Sequence, residues 1–264
     1  MKKFFVFTLF IFLFSNCATG KYGLEFLKRQ VTVGENTYGY RVYVPKNRPP
    51  DQKLPVMLFL HGSGSCGDDN EAQIARFNKF IGENPRNFSF IVVFPQARTG
   101  TFWNTQMIEQ AISALDQTVK EFNGDEKRLY LAGYSMGGLG AWHTATLYPA
   151  KFAAVVPVAG RIMPSARERE AMSEDLLDLV DSPKPFEAFA EKLKNVPTWI
   201  FHGGEDEVVT VAASRRMNRA LIEIGNSDVH YTEYEGMGHD SIESALTESK
   251  LFEWLAKQQL KETH

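Results

Sequence analysis

The sequence predicts one α/β domain, a mostly parallel sheet with helices on both faces, and three observations lead there. From Gln30 onward, short β-branched or aromatic runs alternate with longer stretches of helical period. Five of those runs are almost continuously apolar, as strands buried on both faces must be. The length of 264 residues, with 44% hydrophobic and 23% charged residues, suits a single domain with a full core; it excludes a disordered chain and a polytopic membrane protein.

The first residues have a different composition. Lys2 and Lys3 precede an apolar stretch from Phe4 to Phe14, broken only by Thr8 and followed by Ser15, Asn16 and Cys17. A span of that length falls short of the ~20 apolar residues a transmembrane helix needs, so residues 1–16 read as an export signal. Cys17 stands where a lipoprotein carries its acylated thiol, although Phe14 and Asn16 depart from the usual flanking residues. The expectation is an exported protein of the cell envelope, anchored to a membrane through lipid on Cys17 or else released after cleavage as a periplasmic or secreted protein. Residues 17–29 would form a linker and 30–264 the domain. Lipidation of Cys17 would leave Cys66 alone, without a partner for a disulfide framework. A net charge of -3 argues against a nucleic-acid partner, which requires clustered Lys and Arg.

The strands follow in order. Val31–Val33 and Tyr38–Val44 alternate apolar with polar residues and read as antiparallel edge strands joined at Gly34 and Asn36. Val56–Leu60, Phe90–Phe94, Leu129–Ala132, Ala154–Val158 and Trp199–Phe201 are the buried parallel strands, and Val229–Tyr234 is a more polar edge that makes the sheet eight-stranded. Met107–Phe122, Gly138–Leu147, Val211–Ile224 and Ser244–Leu260 read as amphipathic helices. The connection Arg161–Asn195, with helical stretches Glu174–Val180 and Phe186–Leu193, is longer than a crossover needs. It reads as a small cap over the carboxyl ends of the strands, where open α/β folds bind ligands.

The string Gly133-Tyr134-Ser135-Met136-Gly137 has the form GxSxG, which arises by chance in roughly one chain in ten of this length, so its setting carries the argument. It follows a buried strand and opens a helix, the strand-turn-helix context of a nucleophile elbow. Gly133 and Gly137 remove the side chains that would clash in so tight a turn. A serine hydroxyl is a weak nucleophile unless a base takes its proton, and the N-terminus of the following helix favours the anion formed on acyl attack.

In this setting the acid and the base follow the serine in chain order. The loop after Trp199–Phe201 holds three candidates for the acid, Glu205, Asp206 and Glu207. The loop Gly236-Met237-Gly238-His239-Asp240 presents His239 among small residues, as the general base. His61 and His202 each follow a strand and precede a glycine, and read as supports of loop geometry. The run His61-Gly62-Ser63-Gly64 fits an oxyanion loop in which the backbone N–H of Ser63 joins that of Met136.

Together, His61-Gly62-Ser63-Gly64 with Gly67-Asp68-Asp69-Asn70, the glycines from Gly133 to Gly140, Phe201-His202-Gly203 with Asp206, and Gly238-His239 resemble the α/β-hydrolase serine esterases grouped with polyhydroxybutyrate depolymerases, feruloyl esterases and predicted peptidases. The resemblance runs from about Tyr38 to the C-terminus. It implies the α/β-hydrolase fold and a carboxylic-ester hydrolase acting through an acyl-serine, with neither metal nor cofactor, on a small or polymeric ester. It implies Asp206 as the acid and Trp103 as a wall of the substrate pocket, with core packing the alternative for Trp103. A peptidase or thioesterase would use the same residues. A surface lipoprotein that binds a partner through the fold is the reading outside catalysis.

Overall fold

The computed structural model describes residues 24–46, 52–83 and 88–260. The expected signal segment and Cys17 lie outside them. The sheet has eight strands, β1 (Phe26–Val33), β2 (Asn36–Tyr43), β3 (Val56–Leu60), β4 (Ile91–Pro95), β5 (Leu129–Tyr134), β6 (Ala154–Val158), β7 (Thr198–Gly203) and β8 (Val229–Tyr234). Their spatial order is β1-β2-β4-β3-β5-β6-β7-β8. Pairing is antiparallel from β1 to β2 and from β2 to β4, and parallel elsewhere. β1 begins inside the stretch expected to be linker, so the folded domain starts before residue 30.

The helices are α1 (Ala75–Glu83), α2 (Thr105–Glu121), α3 (Met136–Leu147), α4 (Ala166–Arg169), α5 (Glu174–Val180), α6 (Pro185–Lys192), α7 (Ala212–Glu223), α8 (Ile242–Thr247) and α9 (Leu251–Lys257). Side chains alternate along the central strands. Leu58 and Leu131 enter a core shared with α2, α3, α5, α6 and α7, whereas Met57 and Tyr130 enter a second core with α1, α8 and α9. Phe77, Phe80, Phe88, Phe90 and Phe94 build an aromatic cluster in that second core, with ring centroids 5.1 to 6.3 Å apart.

Three elements depart from the expected pattern. α1 was not foreseen. The single helix expected over Ser244–Leu260 is two, because the Thr247 hydroxyl donates back to the carbonyls of Glu243 and Ser244, and Glu248 turns extended at φ -58, ψ 117. The 161–195 connection is divided. Its first part stays at the carboxyl ends of the strands, where Arg167 donates to the Gly100 carbonyl at 2.7 Å, but Leu176, Val180, Phe186 and Phe189 pack onto the sheet face beside α3 and α7. Apolar faces on α5 and α6 had to be buried, and the crossover layer offered the surface.

The register fixes where the loops meet. Leu60 lies opposite Gly133, Tyr134 opposite Val158, Val158 opposite Phe201, and Gly203 opposite Tyr234. The carboxyl ends of β3, β5, β6, β7 and β8 therefore share one rim, and the loops leaving them are neighbours.

Candidate active site

The turn between β5 and α3 is a single residue, Ser135, at φ 57, ψ -115. A left-handed backbone at a residue with a Cβ costs ~1–3 kcal/mol and persists only where its surroundings impose it. Here they do. The Ser135 N–H donates to the Val158 carbonyl at 2.9 Å, and its own carbonyl accepts from Gly138 and Leu139 at 2.8 and 3.1 Å. The helix start is pressed so close to β3 and β5 that a Cβ on Gly137 would overlap the Leu60 carbonyl, and one on Gly133 the Gly137 carbonyl. At the very start of α3, the N–H groups of Met136 and Gly137 have no carbonyl one turn back within the helix to bond.

The loops after β7 and β8 bring two partners to that serine. His239 Nε2 lies 2.8 Å from Ser135 Oγ, and His239 Nδ1 lies 2.7 Å from Asp206 Oδ2. A carboxylate only accepts, so Nδ1 carries the ring proton and Nε2 is left to accept from the serine hydroxyl. The other oxygen, Asp206 Oδ1, accepts from the N–H groups of Val208 and Val209, both at 2.8 Å. Burial alone would raise the Asp206 pKa; the hydrogen bond from His239 and those from Val209 and Val208 outweigh it and hold the carboxyl below its ordinary value. Of the three acidic candidates, it is Asp206 that the fold joins to His239. The two loops can close because Gly203 faces the carbonyls of Met237 and Gly238, which a Cβ there would overlap.

The loop after β3 lies against the elbow, since a Cβ on Gly62 would come within 3.5 Å of the Ser135 Cβ. Ser63–Ser65 is a short 3-10 turn, closed by Ser65 N–H to Gly62 O at 3.0 Å and Cys66 N–H to Ser63 O at 3.2 Å. Farther on, the buried Arg41 of β2 donates to the Asn70 and Phe26 carbonyls at 2.6 and 2.7 Å and pairs with Glu71. Trp103 is 1% exposed, packs on Gly140 of α3, and donates its indole N–H to the His61 carbonyl at 2.9 Å. Its ring is thus spent on fixing His61 to α3 and presents no open face for a substrate. Core packing, the alternative, describes its surroundings.

His61 supports the loop through its ring. Nδ1 donates to the Gly62 carbonyl at 2.8 Å, and Nε2 accepts from the Ala97 N–H at 2.9 Å. Burial lowers its pKa to about 4, and burial does the same to His143 inside α3. Free imidazole protonates near 6.5. Between pH 6.5 and 4, therefore, the unfolded chain takes up protons that the fold refuses. The stability held by these two rings is complete above pH 6.5 and is lost as pH falls toward 4, at roughly 3 kcal/mol for each ring. Urea midpoints measured at pH 7.5, 6, 5 and 4.5 should fall steadily; a flat series would show that neither ring resists protonation.

One group of residues drew no notice in the sequence. The Tyr134 hydroxyl donates to the His239 carbonyl at 3.2 Å, and its ring lies 5.3 Å from the His239 imidazole. Arg76 of α1 covers the same tyrosine ring at 5.2 Å and pairs with Asp240 at 2.6 Å. The histidine loop is thereby held from α1 and β5. No spacing in the sequence announces contacts between residues 164 positions apart. Among the described residues, no group of three or more His, Cys, Asp and Glu side chains is arranged to hold a metal ion.

A mostly parallel eight-stranded sheet with a serine elbow after β5 and acid and histidine loops after β7 and β8 is the α/β-hydrolase fold. Within that class, the chain belongs to the prolyl oligopeptidase family, whose model matches residues 97–261. It is 34% identical over 140 residues to a bifunctional acetylxylan esterase/xylanase of Neocallimastix patriciarum, covering 50% of this chain and 19% of that protein. It is 29% identical over 214 residues to an uncharacterized secreted protein of Arthroderma benhamiae, covering 73% of this chain and 22% of the other. The chain thus spans about a fifth of the length of these two curated relatives. Among solved structures, a thermostable esterase superimposes with a TM-score of 0.72 at 30% identity, over 89% of this chain and 63% of that one.

Proposed function

We propose that the chain is an exported serine hydrolase that cleaves carboxylic esters through an acyl-serine. The observation that carries the proposal is the unbroken hydrogen-bonded path from Asp206 through His239 to Ser135 at the N-terminus of α3. In the reaction, His239 Nε2 takes the Ser135 proton as Oγ attacks the ester carbonyl. The carbonyl π electrons move onto oxygen, and the resulting anion faces the N–H groups of Met136 and Ser63. Its collapse breaks the bond to the alkoxy oxygen, which leaves as an alcohol with the proton from His239. Water, deprotonated by the same ring, then releases the acid. Asp206 stays ionised throughout and stabilises the imidazolium.

The acetylxylan esterase and thermostable esterase relatives support an ester, small or polymeric, as substrate. The charged and apolar leader and the secreted relative support export, with acylation of Cys17 as one route to a membrane anchor. The family name favours a second reading, a peptidase working with the same three residues. Purified protein assayed on p-nitrophenyl esters, aminoacyl-p-nitroanilides and acyl thioesters separates these readings. Ester turnover with anilide and thioester cleavage near background is the expected result; anilide cleavage exceeding ester cleavage would transfer the assignment to a peptidase.

A further inference from the structure

His202, the buried histidine of β7, makes contacts the reaction outlined above leaves unused. Its side chain and that of Asp206 are both fully buried, and its Nε2 lies 3.2 Å from Asp206 Oδ2, the oxygen that also accepts from His239. The same Nε2 lies 2.8 Å from the Val209 carbonyl, and Nδ1 lies 2.7 Å from the Ser214 hydroxyl on α7. Two acceptors and no donor face Nε2, so that nitrogen carries the proton. Nδ1 of the neutral ring must then accept, and the Ser214 hydroxyl is its donor. Burial keeps the ring neutral by lowering its pKa.

Resting on the proposed hydrolase reading, we infer that His202 is a positioning residue for Asp206: its Nε2–H, oriented by Ser214, is shared between the Val209 carbonyl and Asp206 Oδ2 and fixes the carboxylate beneath His239. The arrangement closes the acid loop on itself. Asp206 Oδ1 holds the N–H groups of Val208 and Val209, while His202 holds the Val209 carbonyl and the opposite carboxylate oxygen. Both oxygens of the carboxylate are then held, which limits the direction from which the ring of His239 can bond. Without His202, the carboxylate keeps its two backbone donors and still binds His239, but its plane is free to tilt about them.

The test uses the full-length protein and a p-nitrophenyl ester, with wild type and Ser135→Ala measured beside His202→Ala, His202→Gln and Ser214→Ala. Wild type must hydrolyse the ester and Ser135→Ala must not; failure there removes the hydrolase reading itself, whatever the other variants do. Given that activity, His202→Ala is expected to lower kcat about tenfold to a hundredfold, the size of one hydrogen bond to a charged group, with KM within about twofold. His202→Gln, whose amide can present an N–H near the Nε2 position, should recover most of the loss. The rate of Ser135 labelling by a fluorophosphonate should fall and recover in parallel. A folded His202→Ala with wild-type kcat overturns the inference, as does a loss that appears only in KM. Should His202→Ala fail to fold, Ser214→Ala decides: a severalfold drop in kcat at constant KM supports the inference, and an unchanged kcat overturns it.

Discussion

Ser135→Ala is expected to lower kcat for ester hydrolysis by about 10⁵ to 10⁶ while leaving the fold intact. The alanine keeps the Cβ, the backbone at φ 57 and the hydrogen bonds of the turn to Val158, Gly138 and Leu139, so the far-UV circular dichroism spectrum and the thermal midpoint should match those of the wild type. Only the hydroxyl that receives the acyl group is gone. Because nucleophile and base act as a unit, His239→Ala should lose a similar factor, and the double variant little more than either single one. Hydrolysis by Ser135→Ala at a tenth of the wild-type rate or above, with contamination excluded by active-site titration, would remove the serine from the mechanism.

Asp206→Asn carries the second-largest expected effect, a fall of about 10⁴ in kcat with little change in KM. The local geometry dictates how the amide must sit. The Oδ1 position accepts from the N–H groups of Val208 and Val209, so the asparagine carbonyl takes that place and its NH₂ turns toward His239 and His202. A donor facing His239 Nδ1 forces that nitrogen to accept, and the ring proton moves to Nε2, where it blocks removal of the serine proton. Glu205→Gln and Glu207→Gln, which alter the neighbouring acids, should each change kcat by less than about twofold, because the fold joins neither to His239. A loss as large in Glu207→Gln as in Asp206→Asn would mean the acid had been misassigned.

Much of this protein is legible from local pattern. β3 and β6 have the boundaries that their runs suggest, because a parallel strand buried on both faces needs an uninterrupted apolar segment, and the more polar β8 at the sheet edge also keeps its expected bounds. The elbow is legible for a related reason. The glycines at 133 and 137 are demanded by contacts of the turn with its own flanking strand and helix, so a short string carries the constraint. α1 and the break between α8 and α9 were not legible. α1 depends on what lies opposite it, since the faces of Phe77 and Phe80 are defined by Phe88 and Phe252, whereas the break depends on the Thr247 hydroxyl bonding carbonyls three and four residues back, which periodicity does not register.

Trp103 and the 161–195 connection show the same division. A tryptophan after a strand, near an active-site loop, suits a pocket wall and a buried brace equally well by sequence. The close approach of Gly140 and the His61 carbonyl decides between them.

By itself, the sequence determined the fold class, the serine elbow, the histidine loop and the short list of acids, because each is written in periodicity or in chain order. Tertiary structure alone decided which of three adjacent acids meets His239 and that Tyr134 and Arg76 hold the histidine loop. Hydrogen bonding depends on distances of a few tenths of an ångström and on direction, and residues 33 to 164 positions apart acquire those only when the strand ends are set side by side in the sheet.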